Sequence, residues 1–289
     1  MVREKGTLTQ GVVLEWLQRN SGEGWFTYEQ LWRYLNIETR GAKDHLYTIL
    51  ARLVATELVE AHRATVGKFR LINKEVEEID WQDADPGNTI TLRFPFQLEK
   101  YATLYPQSIV IVAGSKQAGK TAFLYNVVRL NMNRFKVDLY NSETGREQMK
   151  VRFAGFDPPI PSPAPFRAIQ RYDNFSDVID PYGISVIDYL DMDSEVYMVG
   201  AEINKIFKKL KTGAAIIGLQ KPPGRDLAIG GIFTAKRAAL YLSLDANKLK
   251  ILYCKTPTNG TVNPDNMQFS FNLEGVGVNF RNIRKLGYS

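Results

Sequence analysis

The stretch GSKQAGKT, Gly114 to Thr121, directly follows the apolar run SIVIVA. Its spacing, G-x-x-x-x-G-K-[ST], constrains the fold more than any other feature, because such a loop works only between a buried strand and the start of a helix. A polyphosphate needs several N–H donors close to its oxygens, one positive point charge, and a hydroxyl for a metal ion. Gly114 and Gly119 permit the tight backbone path, and Ser115, Lys116, Gln117, Ala118 and Ala122 complete the cradle. Lys120 reaches the outer phosphates, and Thr121 offers its hydroxyl to Mg²⁺. ATP with Mg²⁺ is the expected ligand.

Around this loop, strand-like and helix-like runs alternate, the pattern of an α/β unit with a mostly parallel sheet and crossover helices. Strands are expected at 108–114, 136–143, 183–191, 213–220, 238–245 and 248–255, with helices at 120–133 and 194–211. Near-continuous Ile/Val/Leu runs suit strands covered on both faces. A second metal-binding carboxylate should stand at a neighbouring strand end. In SVIDYLD the apolar run leads into Asp188, with Asp191 the weaker alternative. Glu143 ends KVDLYNSE on the edge where α/β sheets collect ligands, and is expected to activate water beside the terminal phosphate. Its alternative role is to cap a helix starting in TGREQMK.

The first part of the chain has a different grammar. LTQGVVLEWLQRN repeats apolar residues at helical spacing, TYEQ has capping-box spacing at Thr27 and Gln30, and a third helix is expected over 38–56. ELVEAHRATVGKFRLIN reads as two short strands around a turn near Val66-Gly67. Three helices and a β-ribbon resemble a winged helix-turn-helix domain over residues 5–73. That resemblance implies DNA contacts from the third helix and the ribbon, with Arg40, Lys43 and Lys68 as the leading candidates beside His45, Tyr47, Arg52 and Arg63. A protein-contact role is the alternative. The expected division is 1–74 for this domain, an acidic linker over 75–90, and 91–289 for the ATPase domain.

Composition narrows the rest. Residues 1–80 hold 11 Lys and Arg against 12 Asp and Glu, while residues 81–289 hold 26 against 19, so the net charge of +6 lies with the cradle. One cysteine, Cys254, and two histidines, His45 and His62, exclude a disulfide framework and a standard zinc site within one chain. The charged start MVREKG and the lack of a membrane-length apolar run lead us to expect a cytoplasmic protein.

GKTAFLYNV, LYNSETGREQMKVRF, VIDYLDM, IFKKLKTGAAIIGLQK and ILYCKTPTNG together resemble successive motifs of the DnaB-type helicases within the RecA-like superfamily, over about residues 95–272. The resemblance implies a RecA-like P-loop fold, Glu143 as catalytic base, and Gln220 as the strand-end sensor of the terminal phosphate. It also implies a finger reaching a neighbour's nucleotide. Lys255 is the candidate, with Lys236 and Arg237 as substitutes, since Thr256 and Pro257 stand where the helicases carry arginine. A winged helix also replaces their helical collar. The Gly- and Pro-containing segment between Gln220 and Lys236 is expected to touch DNA through Lys221 and Arg225. The expected partners are single- or double-stranded DNA and further copies of the chain, in a hexameric ring or a helical filament. Helicase, DNA-coating filament and nucleotide-switched regulator remain alternative uses.

Overall fold

A computed structural model describes residues 8–20, 24–190, 198–258 and 262–288. Asp191, the acidic segment that follows it, and Asn259 and Gly260 of KTPTNG lie outside the described residues. The chain divides into two compact units, Met1–Ala84 and Asp85–Ser289.

The smaller unit runs α1 (Gln10–Asn20), β1 (Phe26–Thr27), α2 (Tyr28–Tyr34), α3 (Arg40–Ala55), β2 (Val59–Ala61) and β3 (Lys68–Leu71), with the strands ordered β1-β3-β2. Thr27 caps α2 reciprocally: its hydroxyl accepts from the Gln30 N–H at 3.2 Å, and the Gln30 side chain accepts from the Thr27 N–H at 2.7 Å. Thr39 starts α3 by accepting from the Ala42 N–H. The helical repeat then brings Val13, Leu17, Leu31, Leu46, Leu50 and Leu53 into one core that the strands close with Phe26, Val59 and Phe69. Each such leucine contributes roughly 1.5–3 kcal/mol through burial. Gly67 supplies the positive φ that turns β2 back into β3.

The larger unit runs β4 (Ser108–Gly114), α4 (Lys120–Asn131), β5 (Val137–Asn141), α5 (Arg146–Ala154), β6 (Arg167–Gln170), β7 (Ile184–Asp188), α6 (Met198–Lys209), β8 (Ala214–Gln220), β9 (Ala238–Asp245), β10 (Lys248–Cys254), β11 (Met267–Glu274) and β12 (Asn279–Tyr288). These strands form one sheet in the order β12-β11-β10-β9-β4-β8-β7-β5-β6. The stretch from β9 to β6 is parallel, and β10, β11 and β12 add antiparallel strands to it. Along β4, Val110 and Val112 pack into the core on one face, and Ile109, Ile111 and Ala113 into the core on the other. From Ile109 to Ala113 this central strand is covered on both sides and offers no solvent-facing position, which is why IVIVA is unbroken.

Several elements differ from expectation. β5 stops at Asn141, two residues short of Glu143. α5 has no buried residue and so no apolar stripe to reveal it. Most of the basic tail RNIRKLGYS belongs to β12, whose residues 281–286 are exposed and lack the alternation that marks a half-buried strand. Among the described residues, no helix is long and apolar enough to cross a membrane.

Candidate functional site

The parallel strands bring their carboxyl ends to one edge, and the sequence-expected nucleotide residues converge there. Gly114 closes β4 and Gly119, at φ 94°, precedes α4. A Cβ on Gly114 would fall 2.5 Å from Lys120 Cγ, so the cradle's path requires glycine at this point. The loop opens into a cavity of about 330 Å³ lined by Ser115, Gln117, Lys120, Thr121, Glu143 and Gln220, among others. Lys120 Nζ donates to Gln220 Oε1 at 2.9 Å, which joins the cradle to the end of β8, the strand between β4 and β7.

Thr121 Oγ1 donates to Asp188 Oδ1 at 3.2 Å. Asp188 is fully buried, and its Oδ2 has no hydrogen-bond partner among the described residues. Burial pushes its carboxyl up to about 6, the Thr121 hydroxyl opposes the shift, and the nearby Glu143 charge adds to it. A buried carboxylate oxygen without a partner, beside a threonine hydroxyl, fits Mg²⁺, which takes one or two protein oxygens and leaves its other positions to water and phosphate.

Glu143 is exposed and lines the cavity from a short loop fixed at both ends. Before it, the Ser142 N–H donates to the Asp188 carbonyl at 2.9 Å and Ser142 Oγ to the Tyr189 carbonyl at 2.8 Å. After it, the Thr144 N–H donates to Asn141 Oδ1 at 3.1 Å, and Asn141 Nδ2 returns a bond to the Thr144 carbonyl at 2.6 Å. The proposed base and the proposed metal ligand thus share one backbone framework. Sequence reasoning missed Gln148 and Arg152, which also line the cavity. They stand four residues apart on α5, hence on one face, and the signal was their i, i+4 spacing after Glu143. Leu273 and Gly277, from the hairpin of β11 and β12, complete a wall that no motif announced.

The expected DNA contacts fare differently. Lys221 is buried: its Nζ lies 2.8 Å from the Asp245 carboxylate and 2.7 Å from the Arg225 carbonyl. The expectation of a phosphate contact from Lys221 does not fit this placement. Its ammonium is a strut between the end of β9 and the following loop, and its carbonyl-adjacent N–H donates to Gly114 O at 3.1 Å. Arg225 is exposed. Lys255 follows β10, which runs antiparallel to β9, so it lies at the opposite edge of the sheet from the cradle and outside its own nucleotide cavity. Arg237 stacks on Phe207 and donates to Asn204, while Lys236 is exposed. In the smaller unit, Arg40 is exposed at the start of α3, Lys68 is half-buried on β3, and Lys43 holds its ammonium 3.5 Å from the centre of the Trp32 ring.

No protein-family model matches the chain, and no curated protein matches it in sequence. Among solved structures, it is similar to a KaiC-like protein from the hyperthermophilic archaeon Pyrococcus horikoshii, with TM-score 0.51 and 15% identity over 69% of this chain and 99% of that one. The flagellar accessory protein FlaH from Methanocaldococcus jannaschii gives TM-score 0.47 and 14% identity over 67% of this chain and 98% of that one. At this identity the Pyrococcus likeness shows that the α/β unit shares that protein's fold, a mostly parallel sheet with crossover helices.

Proposed function

We propose that this chain is an ATP hydrolase that assembles with further copies of itself and couples hydrolysis to its hold on DNA. The observation that carries the catalytic part is the convergence of Lys120, Thr121, Glu143 and Gln220 on one cavity, with the buried Asp188 bonded to Thr121 behind its wall. Lys120 and the loop N–H groups would bind the phosphates, Thr121 and Asp188 would hold Mg²⁺, and Glu143 would orient and deprotonate water. Mg²⁺, when bound, supplies positive charge against the phosphate oxygens. Gln220 connects this site to the loop 221–236, whose Ile229 N–H donates to the Gln220 carbonyl at 2.9 Å. Placement of Lys255 at the far edge of the sheet supports a role toward a neighbour's nucleotide, and therefore head-to-tail assembly. The likeness of the sequence motifs to DnaB-type helicases favours translocation as the outcome.

A second reading is favoured by the loop itself. Ile229, Ile232 and Phe233 are exposed where a DNA-tracking loop would display cations, and Lys221 is buried. In that reading the smaller unit, as a winged helix, selects DNA through Arg40, Lys43 and Lys68, and nucleotide sets the assembly state without movement along a strand.

ATP turnover by purified protein, with and without single-stranded and duplex DNA, tests the proposal. Lys120→Ala is expected to abolish turnover and weaken nucleotide binding. Glu143→Gln should retain binding and lower turnover by about a hundredfold or more. Turnover unchanged in Glu143→Gln removes Glu143 from the chemistry, and no turnover by the wild type under any of these conditions ends the proposal.

A further inference from the structure

A second cavity, larger than the nucleotide site, lies elsewhere on the α/β unit. It is an open groove of about 1110 Å³ on the sheet face formed by Tyr241 of β9 and by Leu252 and Tyr253 of β10, walled by the crossover between β8 and β9. That crossover contains a single turn of 3₁₀ helix, Gly231–Thr234, in place of a helix that would cover the strands. The turn is nonetheless tied down. Thr234 Oγ1 donates to the Gly231 carbonyl at 2.7 Å and lies 2.9 Å from the Tyr241 hydroxyl, which accepts the Ala228 N–H at 2.9 Å. Ile232 and Phe233, 68% and 57% exposed, are therefore held outward by built contacts. Exposed apolar side chains grouped in this way, rimmed by charge, mark an interaction surface.

The rim identifies the partner's charge. Asp226 is occupied by Lys250 at 3.1 Å, whereas no carboxylate among the described residues pairs with the exposed Arg225 or Lys236. The groove therefore asks for apolar groups accompanied by carboxylates. The same chain carries a segment of that kind. EVEEIDWQDA, residues 75–84, has five acidic side chains and no basic one, and Val76, Ile79 and Trp81 are 87%, 83% and 71% exposed. Residues 73–88 form no regular element and are exposed throughout. An extended run of that length spans up to roughly 50 Å, and a tight turn, in which the Trp81 N–H donates to the Ile79 carbonyl at 3.0 Å, keeps Ile79 and Trp81 close together.

We propose that residues 76–81 of one chain dock in this groove on a second copy, with Ile79 and Trp81 against Tyr241, Leu252 and Phe233, and with the flanking carboxylates against Arg225 and Lys236. A rigid aromatic anchor set in an apolar recess with a charged rim is how interfaces concentrate their affinity. Docking would also bear on the nucleotide site, because the crossover that walls the groove is bonded to Gln220 through Ile229. The inference rests on the assembly part of the proposed function and not on hydrolysis.

The test is complementary charge reversal in the full chain, read as molar mass in solution by light scattering at several concentrations, with and without a slowly hydrolysed ATP analogue. One variant carries Arg225→Glu and Lys236→Glu; the other carries Glu77→Lys and Glu78→Lys. Each alone should lose self-association, and an equal mixture should recover it, since each chain then offers what the other accepts. Trp81→Ala should weaken association by about thirtyfold. A Trp81→Cys, Phe233→Cys double variant with Cys254→Ser should oxidise to a covalent species of two or more chains. Wild-type protein that stays monomeric, reversed variants that associate as the wild type does, a mixture that fails to recover, or a crosslink confined to single chains each overturns the docking. So does a groove reversal that lowers oligonucleotide affinity while leaving association intact, which would assign the groove to nucleic acid. Turnover measured on the same samples separates the two proposals: hydrolysis with unaffected association removes only the docking, and charge-swapped association without hydrolysis removes only the enzyme.

Discussion

Asp188 sits out of water at the end of β7, and burial raises its carboxyl to about 6 from an ordinary 3.8. Between those two values the unfolded chain has lost the proton that the folded chain still holds. Stability therefore falls as pH rises from about 4 to about 6 on account of this group, and the loss persists above that. The shift of roughly two units corresponds to about 3 kcal/mol at most. Asp188→Asn should accordingly raise the unfolding free energy of the ligand-free protein by up to that amount at pH 7, with the gain disappearing near pH 4, as read by chemical denaturation at both values. The same substitution should remove Mg²⁺-dependent nucleotide binding. Stability and binding moving in opposite directions would mark Asp188 as a group held in place for its ligand. Its place was legible because an apolar run ending in Asp is a local pattern. The identity of its hydrogen-bond partner and its lone oxygen belonged to the packing of α4 against β7, which no short motif encodes.

Lys221 shows how an element can invert the meaning of a residue. In the sequence it stands beside Gln220 at the head of a Gly- and Pro-containing loop, where a lysine reads as a phosphate contact. The pairing of β4 with both β8 and β9 brings Asp245 to the same edge, and the ammonium is spent on that carboxylate and on the Arg225 carbonyl. Charge reversal at the two neighbours should therefore separate sharply. Lys221→Glu is expected to destabilise the protein by about 2–4 kcal/mol, since it places a carboxylate in the buried Lys221 position beside the half-exposed Asp245 carboxylate and the Arg225 carbonyl. Arg225→Glu, on an exposed side chain, should stay within about 0.5 kcal/mol. Equal midpoints in denaturant for the two variants would contradict the strut. The strands buried on both faces were the most legible elements, because Ile/Val/Leu runs leave few alternatives. α5, β6 and β12 were the least legible, because their mostly exposed residues carry no periodic apolar signal. β11, with Met267, Phe269, Phe271 and Leu273 at alternate positions, carries a strand signal that sequence reasoning missed. The hairpin of β11 and β12 matters to the site all the same, since Leu273 and Gly277 wall the nucleotide cavity.

For the molecule as a whole, the two units have different surfaces to offer a polyanion. Arg40 of the smaller unit is exposed and Lys68 half-buried, whereas Lys43 is engaged with Trp32. Arg40→Glu with Lys68→Glu should weaken duplex binding and reduce the slope of log affinity against log salt by about two, if each meets one phosphate. An unchanged slope would assign the small unit to protein contact. The two compact units meet at Ala84 and Asp85, inside the acidic, Pro- and Gly-containing stretch. The groove was not legible, because it arises from what the β8–β9 crossover lacks rather than from any residue it contains. One further consequence concerns the sheet's two edges. With the cradle on one and Lys255 on the other, chains assembled in file as proposed, each Lys255 serving a neighbour's nucleotide, would leave a terminal member whose phosphate pocket meets no lysine. A linear array would then carry one idle end, where subunits are gained or shed independently of turnover, whereas a closed circle would have no such member and a uniform rate at every joint.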